Sequence, residues 1–397
     1  MMQRILITLA LVLSSAIAHA QTTDSSNYTR NSAQTLIDSK GGNLLMAAYG
    51  EGHYNQGFMN NLYENGTMDI HRLVLLFGYK FDKKTSFITE IELEHIQEVY
   101  LEQAFLNYQA KNWLNFQAGL VLVPMGIVNE YHEPNTFNGV ERPTIDQVLV
   151  PSTWREIAAG FTGNVTNSSL RYQVFAMNGP AGYDDGKANL RGAQPIRSAR
   201  QKGSEVIMGS PDLSAKLNYY GIRGLNIGLA GYFGTTESTL FNSIPKDSIG
   251  LKRQADSSVV GIRMVGLDYR YSKKNFESRA QLILAQFNNS NSYNAFTGQD
   301  LGSNAFGYYV EAGYNVSKLF RMKKKLVPFI RYSKYDTHYK VASEMNRNLT
   351  YQSEIWTGGL SLHLNNSSVV KLDYQRSTNG LNASRNVLNA GVGFWFR

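Results

Sequence analysis

Sixteen stretches of the chain alternate apolar and polar residues with a period of two, one after another to the last residues. That period marks strands whose two faces meet different surroundings. The stretches are 43–49, 70–80, 85–96, 98–110, 113–123, 156–166, 169–178 and 212–220, then 225–234, 258–271, 275–288, 305–316, 326–336, 352–365, 367–377 and 386–396. Most are nine to thirteen residues long, against roughly 9–11 for a tilted strand that crosses a bilayer. In 85–96, Phe87, Thr89, Ile91 and Leu93 oppose Ser86, Glu90, Glu92 and Glu94. In 367–377, Val370, Leu372 and Tyr374 oppose Lys371, Asp373 and Gln375.

The connections alternate too. Short ones (81–84, 111–112, 167–168, 221–224, 272–274, 317–325, Asn365-Asn366) take turns with long ones (50–69, 124–155, 179–211, 235–257, 289–304, 337–351, 378–385). Outer-membrane barrels have short periplasmic turns and long outer loops, and an even strand count leaves both termini on the short-turn side. The exception is near Gln97, where the outer connection almost vanishes, so 85–96 and 98–110 read as two strands or as one long one. The fold class these features predict is all-β: a transmembrane antiparallel β-barrel of about 16 strands. A soluble sandwich also alternates, but it leaves the length and number of the strands unexplained.

No run of 18 apolar residues exists, which excludes helical membrane spans. Twenty-four Tyr and 19 Phe with only nine Pro suit many strands joined by polar turns. Tyr79, Tyr108, Tyr219, Tyr269, Tyr271, Tyr314, Tyr332 and Tyr374 fall near strand ends, as in an interfacial girdle. Residues 1–20 read as a cleaved signal peptide: Arg4, the apolar Ile5 to Ile17, and Ala18-His19-Ala20 before Gln21. Residues 21–41 read as a polar, mobile segment, and 42–397 as the barrel. The localisation this predicts is integral to the outer membrane of a Gram-negative bacterium, with its lipid bilayer as a partner. The net charge of +8 is dispersed, much of it in short turns (Lys83, Lys84, Lys111, Lys273, Lys274, Lys323 to Lys325), so nucleic acid is not a predicted partner.

A connection of about thirty residues at 124–155 far exceeds the usual length and is expected to be functional. It holds Glu130, Glu133, Glu141 and Asp146 against Arg142 and Arg155. We read it as a long third loop folded into the lumen, with those six residues at a constriction. A barrel of this size leaves an aqueous lumen. Glu90, Glu92 and Glu94 on one strand face, with Glu277, Arg279, Glu311, Arg331, Lys371 and Asp373, are the expected lumen wall, facing water. An acidic loop across from a basic wall would set up a transverse field. Loop 179–211 leans positive through Lys187, Arg191, Arg197, Arg200 and Lys202.

Catalytic motifs, a metal spacing and a cysteine nucleophile are all absent, so the chain reads as no enzyme, with no cofactor. His132-Glu133 stands as a lone pair, and His53, His71, His95, His338 and His363 read as scattered rim residues. The expected role is passive diffusion of small hydrophilic solutes and ions. The alternatives are a non-conducting structural or adhesive barrel and a hydrolase assembled on its loops.

Around this loop the chain resembles the phosphate-selective porin family and related Bacteroidetes-type outer-membrane porins. The resemblance rests on Gly119, Pro124, Gly126, Asn129-Glu130, His132-Glu133-Pro134, Phe137, Glu141-Arg142-Pro143 and Pro151-Ser152-Thr153-Trp154, then Glu156 and Gly160-Phe161. It implies a sixteen-strand porin whose third loop enters the lumen, and a homotrimer. Dense arginine and lysine is what bare phosphate needs, so the acidic residues of wall and loop argue against phosphate selectivity.

Overall fold

Strand-forming alternation with an apolar outer face has one way to leave no edge unpaired in lipid, which is to close on itself. The computed structural model, which describes residues 31–38, 42–59 and 62–396, shows this closure. Sixteen antiparallel strands follow one another around the barrel. They are β1 (Leu44–Phe58), β2 (Thr67–Lys80), β3 (Thr85–Glu94), β4 (Glu98–Lys111), β5 (Leu114–Leu122), β6 (Arg155–Val165), β7 (Leu170–Met177) and β8 (Asp212–Tyr219). Then come β9 (Leu225–Thr235), β10 (Gly261–Lys273), β11 (Phe276–Asn288), β12 (Asn304–Tyr314), β13 (Lys325–Lys340), β14 (Gln352–Asn365), β15 (Ser368–Asn379) and β16 (Ser384–Phe396). β16 closes the ring on β1 through pairs from Ala48 with Phe396 to Phe58 with Asn386.

The outer face is apolar and exposed: Leu101, Phe161, Leu217, Leu229, Leu284, Ile330, Leu360, Leu372 and Val392 among others. Of the girdle tyrosines, Tyr79, Tyr108, Tyr314 and Tyr374 are exposed, whereas Tyr332 packs against Trp356 at 4.8 Å between ring centroids.

The structure corrects two expectations and decides between the two readings of 85–110. β1 runs to Phe58, not to residue 49, so the first outer connection is short. Residues 50–58 hold Gly and polar side chains, and so lack the apolar alternation that marks a lipid-facing strand. β3 and β4 are separate strands joined by a turn in which His95 and Ile96 both take positive φ, 49° and 61°, the backbone of a tight hairpin turn. Finally, part of the segment read as mobile is a helix, α1 (Ser32–Asp38), with Ala33 and Leu36 buried. A Cβ built on the inward-facing Gly78 would come 3.6 Å from Leu36, so α1 packs inside the barrel beside the β2–β3 turn.

Candidate functional site

The connection between β5 and β6 turns into the barrel instead of outward. Its apolar residues Met125, Ile127, Ile145, Leu149, Val150 and Trp154 are buried against inward side chains of the wall, including Tyr232, Met264, Ile283 and Tyr309. Glycines on the wall make room for it. A Cβ on Gly307 of β12 would sit 2.8 Å from Leu149, and one on Gly393 of β16 would sit 2.6 Å from Pro134.

Polar contacts tie the loop to every side of the wall. Glu130 pairs with Lys216, which also donates to the Gly126 carbonyl, and accepts from Gln173. Arg279 donates to the Thr136 carbonyl at 2.7 Å, and Lys371 to the Phe137 carbonyl at 2.9 Å. Arg331 reaches the Asn138 carbonyl at 2.6 Å while bound to Glu311. Asp373 accepts from the Val140 N–H and from Asn389. Glu133 accepts from the Ser32 hydroxyl, which links loop and α1. Asp146 accepts from Gln281 and lines none of the cavities described below.

Glu90 and Glu92 are buried, contrary to the expectation that they face open water. Glu90 takes hydrogen bonds from Tyr49 and Gln103, and Glu92 lies 3.7 Å from Arg72. Arg72 is itself bound to Glu51 at 2.7 Å and to the His132 carbonyl at 2.8 Å. His132, far from standing alone, reaches Glu102 at 3.4 Å and Glu90 at 3.6 Å. Burial opposes a charge on His132, but Glu102 and Glu90 outweigh it and hold the imidazolium form well above the usual range.

Sequence reasoning missed Glu51, Arg72, Glu102 and Lys216, whereas Glu311, read as a wall residue, does face inward, paired with Arg279 and Arg331. Glu102 is the extra residue of a β-bulge, because Glu90 pairs with Gln103 and Ile91 with Leu101. The bulge turns both Glu102 and Gln103 inward. Lys216 falls on the polar phase of β8 with Asp212, Ser214 and Asn218, which was the available signal, whereas Arg72 shares its phase with Val74 and Leu76 and so gave none.

On either side of this packed middle lie open spaces. The inner cavity, about 530 Å³, is lined by Glu133, Arg279, Glu277 and Glu311 and by the short-turn residues Lys323 to Lys325. One outer cavity, about 450 Å³, is lined by Glu92, Glu94, Arg142, Arg155, Arg200 and Lys202, with Arg197 alongside. Another, about 360 Å³, adjoins it through Arg142 and Gln147 and includes Glu141 and Arg385. Among the described residues, none lines both the inner cavity and an outer one. The basic outer cavity shows its crowding in its cations. Burial, then Arg197 and Arg155, lowers Arg200 to about 10, and burial with Arg200 lowers Lys202.

No family model matches the chain. A protein of Aquifex aeolicus (strain VF5), described only as uncharacterized, is 26% identical over 363 residues, which span 89% of this chain and 80% of that protein. Among solved structures, the outer membrane channel DcaP of Acinetobacter baumannii superposes with a TM-score of 0.58 at 10% identity, covering 89% of this chain and 97% of DcaP. The anion-selective porin from Comamonas acidovorans gives 0.56 at 10% identity, covering 89% and 99%. OmpT of Vibrio cholerae in its trimer form gives 0.52 at 11% identity, covering 89% and 100%. At such low identity these likenesses speak to architecture alone, and the architecture is the closed sixteen-strand barrel of outer-membrane porins.

Proposed function

We propose that the chain is an outer-membrane porin through which small hydrophilic solutes and ions diffuse passively, with residues 124–155 forming the constriction. The observation that carries this reading is the loop bound across the lumen between a basic outer cavity and a mixed inner one. A solute entering from outside meets Arg142, Arg155, Arg200 and Lys202, and leaves past Glu133, Glu277, Arg279 and Lys325. Opposed charges over such a short span orient dipolar solutes while exchanging readily with water. The channel needs no energy source, because it only lowers the barrier of the bilayer. A homotrimer is the assembly we infer, as in the neighbour described in a trimer form.

Vesicles containing the purified chain test this reading. They should swell in isotonic small sugars and resist larger oligosaccharides. Glu133→Gln combined with Glu130→Gln should move ion selectivity toward anions. Glu133 should carry most of that change, since Glu130 is already neutralised by Lys216. Unchanged selectivity would place this part of the loop outside the conduction path.

A second reading, a non-conducting barrel, is favoured by one observation. The layer of Glu51, Arg72, Arg331 and Lys371 between the cavities is buried. Vesicles that exclude even the smallest sugar would favour it.

A further inference from the structure

Three of the seven histidines meet at the outer end of β1–β3. His53 and His71 stack, with ring centroids 5.0 Å apart and 13° between planes, and His95 stands edge-on to His71 at 5.2 Å. Asp69 faces two of them, its Oδ2 lying 2.6 Å from His95 Nδ1 and 3.5 Å from His71 Nδ1. One donor atom from each of Asp69, His71 and His95 lies within 4.8 Å of the others.

Two backbone features bring this about. Glu51 pairs with Arg72 but Gly52 pairs with Ile70, so His71 is the extra residue of a bulge in β2. The bulge turns His71 to the lumen, where it lines the outer cavity with Glu92 and Glu94. The tight β3–β4 turn then sets His95 opposite it, and the His95 N–H donates to the His71 carbonyl at 3.1 Å.

We propose that Asp69, His71 and His95 bind a divalent first-row transition-metal ion at the outer rim. Two imidazoles and a carboxylate suit Zn²⁺, Cu²⁺ or Ni²⁺ rather than Mg²⁺ or Ca²⁺. Metal–ligand bonds of about 2.0–2.2 Å put tetrahedral donors roughly 3.4 Å apart, so the present spacing needs only small side-chain shifts. Three protein ligands leave a fourth position for water. All three side chains are partly exposed (34%, 26% and 49%), so an ion reaches them from the outer mouth. Glu94, 3.9 Å from His95 Nε2, adds negative charge nearby, while Arg72 and Arg142 are occupied by Glu51. A second cluster of donors among the described residues, Glu90, Glu102 and His132, is buried, with both carboxylates already held by Tyr49.

Calorimetric titration of the purified, folded full chain in detergent with Zn²⁺ tests the proposal. One saturable site per chain is expected. His71→Ala with His95→Ala should weaken it at least 100-fold and Asp69→Asn at least 10-fold, while His53→Ala, whose ring faces Glu51 and Glu141, should leave it within threefold. Heat-modifiable gel mobility identifies variants that fold. X-ray absorption of the zinc-loaded wild type, which needs no variant, should show two imidazole ligands. Absence of a saturable site, undiminished binding in the folded double variant, or a zinc spectrum without imidazoles would overturn the proposal.

Discussion

Arg72 shows what one side chain does inside this barrel. It is 1% exposed, with Nε on Glu51, one terminal nitrogen on the His132 carbonyl, and the other 3.7 Å from both Glu92 and Glu102. Removing one partner of a buried ion pair costs about 3–5 kcal/mol, because the other charge stays buried and unpaired. Arg72→Met should therefore release the loop toward protease and lower the unfolding temperature, and Arg72→Met with Glu51→Gln should recover part of the loss. Asp146 makes a pH-dependent counterpart. Burial raises its carboxyl from the usual 3.8 to about 7, against the hydrogen bond from Gln281. A docked loop thus holds a proton that a detached loop has lost. Docking is strongest below pH 4, weakens by about 1.4 kcal/mol per unit as pH rises toward 7, and levels off above it. Proteolysis of the loop measured from pH 5 to 8 should accelerate, and Asp146→Asn should flatten that trend. Neither Glu102 nor His71 was legible as a lumen residue, because a one-residue bulge reverses the phase of every position beyond it.

The loop 124–154 and α1 are the two elements that set how open the barrel is. Gly393→Val would drive a side chain into Pro134, and Gly307→Leu would drive one into Leu149. Both variants should unseat the loop while leaving the outer face untouched, so conductance should rise and selectivity fall. Deletion of Ser32–Asp38 removes the contact from Ser32 to Glu133 and that from Arg171 to Gln34. It should raise conductance with little change in selectivity, and an unchanged conductance would place α1 outside the path. The length and prolines of the loop announced its importance in the sequence. Its mode of seating did not show there, since it depends on glycines such as Gly307 and Gly393 on strands far along the chain. α1 was missed because seven residues with two apolar contacts give no helical period long enough to read.

The barrel as a whole was the most legible feature. Lipid imposes one apolar face on every strand, so the period-two pattern recurs from strand to strand around the barrel, and the length of the connections gives orientation. What a single sequence does not carry is the state of the interior, where most of the charged residues read as facing water are in fact paired with wall neighbours or with the loop. A conducting barrel narrowed by its third loop should reveal itself in single-channel current across a planar bilayer under a salt gradient. Stable ohmic openings that enlarge in Gly393→Val are the predicted result. Silence from folded wild-type protein, or a current indifferent to the seating of the loop, would contradict it.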